Sequence, residues 1–116
     1  MAPSKLRPPP VTYGPLRLYP ARWEAQLDGE VLALTPTEFS ILYVLASSPD
    51  SAVTHDKLVR HCIIKGRGAR TVAVHIYGLR RKLGKHRRLV VKVFGVGYRI
   101  ASLGTRPTRR GVRRRG

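Results

Sequence analysis

The stretch RTVAVHIYGLRRKL (70–83) concentrates side chains that can do chemistry on a polyanion. Arg70, Arg80, Arg81 and Lys82 supply fixed positive charge, and no acidic residue lies near them in sequence. Val74 can touch a thymine methyl and Tyr77 can hydrogen-bond a phosphate. His75 adds a polar contact at neutral pH. Each of these has a plainer reading. The cations also describe a solvated helix face, Arg80 can pair with a carboxylate from the first half, Val74 and Tyr77 can be incidentally exposed, and His75 can be a half-buried flank residue.

Other chemistries find little support. His55, His61, His75 and His86 lack ligand-like spacing, and Cys62 is the only thiol, so neither a metal site nor an intramolecular disulfide is expected. Cys62 reads as a small core residue and suits a reducing compartment. The glycines of GRG (66–68) and GVG (95–97) do not form a phosphate loop, because no G-x-x-x-x-G-K-[ST] follows a strand. General acid–base catalysis needs positioned carboxylates or histidines, and every acid lies in the other half of the chain. No enzyme activity and no cofactor are expected.

Charge sharpens the point. The 116 residues carry 23 Lys and Arg against 6 Asp and Glu, a formal net charge of +17. Residues 1–56 hold four basic and six acidic side chains, whereas 57–116 hold nineteen basic and none acidic. A cationic half joined to a near-neutral half reads as a polyanion-binding surface. No apolar run approaches the ~20 residues of a membrane span. The start MAPSKLRPPP has no hydrophobic stretch for a secretory signal. The expected location is the cytoplasm, on the nucleoid.

The elements that must position these residues follow from patterning. Residues 1–15 contain five prolines and read as an extended arm. Residues 104–116 contain six arginines and read as a disordered Arg-rich tail. The ordered domain is then expected over 16–103. LRLY (16–19), RWEAQL (22–27) and EVLALT (30–35) read as strands. Trp23, Ala25 and Leu27 share one side, so Trp23 is expected in the sheet over the first helix. Asp28-Gly29 forms the turn between the last two strands. Thr35-Pro36-Thr37-Glu38 is a capping box that opens a core helix ending at Ser47-Ser48-Pro49. A second helix starts at Thr54 and buries Leu58, Val59, Cys62 and Ile63. A third occupies 70–83. Val72, Ile76, Leu79 and Leu83 make its buried stripe, Arg70, Val74, Tyr77 and Arg81 face the opposite way, and Thr71, His75, Gly78, Arg80 and Lys82 flank it. LVVKVFGVGYRI (89–100) is a hairpin surrounded by Lys85, Arg87, Arg88, Lys92 and Arg99. Phe94 at its tip is a minor-groove wedge or, the expected role, packs against the base of the hairpin or a partner.

That order is an α+β winged helix-turn-helix: a short N-terminal antiparallel sheet, three helices and a C-terminal β-hairpin wing. LDGEVLALTPTEFSILYVLASSP (27–49), RTVAVHIYGLRRKLG (70–84) and VVKVFGVGYRI (90–100) resemble the OmpR/PhoB-type winged-helix domain of bacterial response regulators. The resemblance implies that the third helix reads double-stranded DNA, with Arg70, Thr71, Val74 and His75 as contacts at its front and Arg80 near its end, extended by Arg81 and Lys82. It implies a wing signature at Gly95, Gly97 and Tyr98; Lys92, Phe94 and Arg99 on that hairpin are expected to contact DNA as well. It also implies that the 64–69 loop faces RNA polymerase, and that copies pair on tandem half-sites in a DNA-dependent homodimer. Tyr77, Gly78 and Phe94 stand where such domains usually carry basic residues, and Ala73 replaces an acid, so a different or weaker sequence preference is expected. Only 34 residues precede Thr35. A receiver domain needs ~120, the size of an ordinary domain. No phosphorylation switch in cis is therefore expected.

The function expected is a bacterial DNA-binding transcriptional regulator. The alternatives are an architectural nucleoid protein of weak specificity, an RNA or ribosome binder, and a module acting mainly on a protein partner.

Overall fold

The computed structural model describes residues 9–62, 64 and 69–102. The arginine-rich 104–116, most of the 64–69 loop and the arm before Pro9 lie outside the described residues, as does Ile63.

Four strands form the N-terminal antiparallel sheet, in the order β1 (Val11–Tyr13), β2 (Leu16–Tyr19), β3 (Glu24–Leu27) and β4 (Glu30–Leu32). β1 falls inside the stretch expected to be an arm. Val11-Thr12-Tyr13 is a β-branched and aromatic triplet, and Gly14, at φ 58°, turns the chain back with Pro15 so that Tyr13 pairs with Leu16. Further bonds hold β1 in place. Tyr13 Oη donates to the Ala101 carbonyl at 2.6 Å, and Tyr43 Oη donates to the Pro9 carbonyl at 2.7 Å. The prolines around the triplet hid it.

Trp23 is a second correction. Pro20–Arg22 forms a 3-10 turn, and Trp23 follows at φ 52° with its N–H on the Pro20 carbonyl. It is therefore out of phase with Ala25 and Leu27 and stands 55% exposed, though its ring centroid is 5.5 Å from that of Phe39. The Asp28-Gly29 turn forms as expected, with both residues at positive φ.

Helix α1 (Pro36–Ser47) opens on the capping box. Thr35 Oγ1 accepts from the Glu38 N–H at 3.1 Å, and Glu38 Oε1 accepts from the Thr35 N–H at 3.0 Å. Phe39, Ile41, Leu42, Leu45 and Ala46 are buried. A two-residue strand absent from the sequence reading, β5 (Val53–Thr54), leads into α2 (His55–His61), where Thr54 Oγ1 caps the Lys57 N–H at 3.0 Å. Helix α3 (Ala69–Leu83) ends at Gly84, φ 57°. A 3-10 segment, Gly84–Leu89, then carries the chain to β6 (Val90–Val93) and β7 (Gly97–Ile100). These two strands and β5 form a second sheet, ordered β5-β7-β6.

One core joins the elements. Leu16 and Leu18 from the first sheet, Ile41, Leu42 and Leu45 from α1, Leu58 from α2, Val72, Ile76, Leu79 and Leu83 from α3, and Val90 and Ile100 from the wing are all at or below 2% exposure. No helix among the described residues is long and apolar enough to cross a membrane.

Candidate nucleic-acid interface

Helix α3 has two faces. Val72, Ile76, Leu79 and Leu83, spaced four, three and four apart, are buried as one stripe. Turned away from them, Val74 and Tyr77 are 65% and 66% exposed, and Arg70 and Arg81 are also exposed. Two large apolar groups and two cations thus share an outward side. The Arg81 guanidinium lies 5.9 Å from the centre of the Tyr77 ring, close enough for a cation–π contact. Thr71 and His75 are half-buried on the flanks.

The rear of the helix is different. Arg80 donates from Nε and Nη2 to the Val90 carbonyl, at 3.2 and 2.7 Å, tying α3 to the wing. Lys82 Nζ lies 2.7 Å from Glu38 Oε1, and Glu38 is 6% exposed. The carboxylate partner weighed for Arg80 therefore belongs to Lys82, two residues and roughly 200° further round the helix. Gly78 faces the same carboxylate. A Cβ placed there would meet Glu38 Oε2 at 2.6 Å. The residue that reads as a missing contact in the sequence is what lets α1 approach α3.

The wing carries Phe94 at its tip, 86% exposed, so of the two packing roles expected for it the one against the hairpin's base does not occur. Its near neighbour is Lys92, whose Nζ sits 5.1 Å from the ring centre. Arg99 is half-buried and donates from Nη1 to the Ile100 carbonyl at 3.3 Å. Gly97 is fixed by close approach, since a Cβ there would lie 1.9 Å from the Val53 carbonyl oxygen of β5. No side chain other than hydrogen is compatible with that pairing.

Arg87 and Arg88 escaped the sequence reading as site residues. With Arg80, Lys92, Val90 and Val91 they line an open cleft of about 410 Å³ beside the wing. The cationic run KHRR (85–88) was visible, but nothing in its spacing says which members gather. Its other two members turn away toward the first sheet. His86 Nε2 is 2.7 Å and Lys85 Nζ 4.0 Å from Asp28 Oδ2. Cys62 is buried, and burial pushes its thiol up to about 11, so it holds its proton at neutral pH. No group of three or more metal-ligating side chains occurs among the described residues.

Comparison with known proteins gives this geometry a family. Residues 29–100 match the model of the transcriptional regulatory protein C-terminal domain. The chain belongs to this family. The match begins at the turn between β3 and β4 and ends on the last wing residue, so it takes in all three helices and both wing strands. Among full-length relatives, the transcriptional regulatory protein CseB of Streptomyces avermitilis is 35% identical over 92 residues, covering 78% of this chain and 38% of that protein. The chain thus spans well under half the length of such curated relatives. Among solved structures, the DNA-binding domain of CpxR from E. coli superposes with a TM-score of 0.75 at 32% identity, covering 84% of this chain and all of that one. The DNA-binding domain of the response regulator AdeR, solved in complex with an intercistronic region, gives a TM-score of 0.70 at 28% identity, covering 77% of this chain and 96% of that one. Within the regulatory-domain family the fold class is therefore the winged helix, with the short N-terminal sheet, three helices and the hairpin wing.

Proposed function

We propose that this chain is the DNA-reading part of a bacterial transcriptional regulator. Helix α3 enters the major groove, which is wide enough for an α-helix and shows a distinct donor and acceptor pattern for each base pair. The wing lies alongside, and its cations follow the backbone. The observation that carries this reading is the division of α3. Its apolar stripe is buried, while Arg70, Val74, Tyr77 and Arg81 stand outward in a half of the chain without a single carboxylate. The likeness to a domain solved on DNA supports the same ligand.

Roles divide accordingly. Arg70, Thr71, Val74, His75, Tyr77 and Arg81 make the contacts along α3. Lys92, Phe94 and Arg99 make those of the wing. Arg80 and Lys82 hold the helix to the wing and to α1, and the donors that Arg80 has left turn to phosphate. Such a role places the chain on the nucleoid, in the cytoplasm. It also makes two further partners testable, RNA polymerase at the 64–69 segment and a second copy on an adjacent half-site.

Selection of bound duplexes from a random pool at physiological salt tests the reading. An enriched motif with modest discrimination is expected, altered by Tyr77→Ala and weakened by Arg70→Ala. A flat result would assign an architectural, sequence-tolerant role instead, and no retention of duplex at all would overturn both. If about 8 phosphates are neutralised, affinity falls by roughly 10³–10⁵ between 50 and 200 mM salt.

A further inference from the structure

We infer that the cleft between the end of α3 and the edge strand of the wing is a phosphate-binding site, distinct from the reading face of α3. Four cations surround it: Arg80 from α3, Arg87 and Arg88 from the 3-10 segment, and Lys92 from β6. Its floor is Val90, which is buried, and Val91, which is half-buried. No carboxylate lines it, and among the described residues none of the ion pairs involves any of the four. The chain's acids were available to neutralise such a cluster. Lys82 and Lys85, which lie between Arg80 and Arg87 in sequence, both have carboxylate partners.

Arg80 is the fixed member. The Val90 carbonyl occupies one N–H of Nε and one of Nη2, which orients the guanidinium plane and leaves three of its five N–H donors. A planar donor set held by protein is suited to a tetrahedral oxyanion, and the apolar floor strengthens the attraction by keeping water from one side. At about 410 Å³ the cleft takes a phosphate group with room for its neighbour on a chain. The ligand chemistry is a phosphate oxyanion, and it has two sources: a phosphodiester of the DNA backbone beside the wing, or a free polyphosphate.

The second source needs no DNA, so the site stands or falls apart from the proposed function. The experiment uses the full chain and two double variants that remove equal charge. Arg87→Gln with Arg88→Gln strips the cleft, and Arg17→Gln with Lys57→Gln strips exposed positions outside it. Each is titrated with tripolyphosphate by calorimetry and with duplex DNA across a salt series, and thermal unfolding confirms equal folding. For a free-polyphosphate site, tripolyphosphate affinity drops at least tenfold in the cleft variant and less than threefold in the other. For a backbone site, tripolyphosphate discriminates little, but the slope of log affinity against log salt falls by about 0.9 per phosphate lost in the cleft variant only. Equal behaviour of the two variants in both titrations overturns the inference. Tripolyphosphate binding lost in the cleft variant, in a chain that ignores duplex DNA, keeps the site and removes the DNA-reading function.

Discussion

The front and the rear of α3 carry the same residue types and have different surroundings. At the front, Arg70 and Tyr77 are exposed, and Arg70 has no ion pair among the described residues. At the rear, Arg80 is bonded to the Val90 carbonyl and Lys82 to the buried Glu38. A cation near neighbouring elements serves the fold, because a buried carbonyl or carboxylate left unpaired costs more than the bond itself contributes. A cation one turn beyond those elements has only solvent or a ligand to meet. Sequence charge counts both alike, and the partner inside the fold separates them.

The largest expected break of this division lies between two adjacent residues. Ile76→Ala empties a position 1% exposed and should cost about 2–5 kcal/mol of folding stability, read by urea denaturation. Tyr77→Ala, at 66% exposure, should leave stability within about 0.5 kcal/mol while lowering duplex affinity. Equal stability losses at the two positions would mean that the outward face is not outward.

Next in size is Glu38→Ala. It removes the capping acceptor of the Thr35 N–H and the partner of Lys82 together. A loss of about 2–3 kcal/mol is expected, below the range for a fully buried pair because Lys82 keeps access to water. The winged-helix spectrum of the remaining fold should persist, with α1 fraying first in hydrogen exchange.

Gly78 sharpens the same contact through a change of sign. Replacing glycine by alanine within a helix ordinarily gains about 1 kcal/mol. Here the new Cβ would stand 2.6 Å from Glu38 Oε2, and that carboxylate is held by both the cap and Lys82. Gly78→Ala should therefore destabilise by about 1 kcal/mol, as overpacking does. In the Glu38→Ala background it should stabilise by about the same amount. A stabilising effect in both backgrounds would show that the carboxylate moves freely and that Gly78 has no packing role.

How much of this was legible depends on the range of the interaction. The capping box, the Asp28-Gly29 turn and the stripe Val72, Ile76, Leu79, Leu83 are local patterns with local causes, and each could be read directly. The same periodicity placed Arg70, Val74, Tyr77 and Arg81 outward. What could not be read are contacts between residues far apart along the chain. Lys82 and Glu38 are 44 positions apart, and no spacing rule links them. β5 is two residues long and exists because β7 lies beside it. β1 and Trp23 failed for local reasons: prolines read as a marker of unpaired chain here bracket a strand, and the alternation read over 22–27 is broken by the Pro20–Arg22 turn and Trp23's positive φ. The cleft of Arg87 and Arg88 was invisible because no element was assigned to 85–88, and the 3-10 geometry of Gly84–Leu89 decides which cations converge.

Arg81 and Lys82 give the finest test of the division, since they are adjacent, both basic and both described by sequence as DNA contacts. Arg81 faces outward beside Tyr77, and Lys82 faces Glu38. If front-type and rear-type surroundings set the role, Arg81→Gln should remove one counterion's worth of salt dependence, about 0.9 in the slope, with no change in melting temperature. Lys82→Gln should do the opposite, lowering stability by roughly 1 kcal/mol through the unpaired Glu38 and leaving the slope within error. Filter binding across a salt series and thermal unfolding of both variants supply the four numbers. A fall in slope at Lys82 equal to that at Arg81 would show that its ammonium leaves Glu38 when DNA arrives. The boundary between reading and positioning would then lie within the fold's response to its ligand and not along the helix.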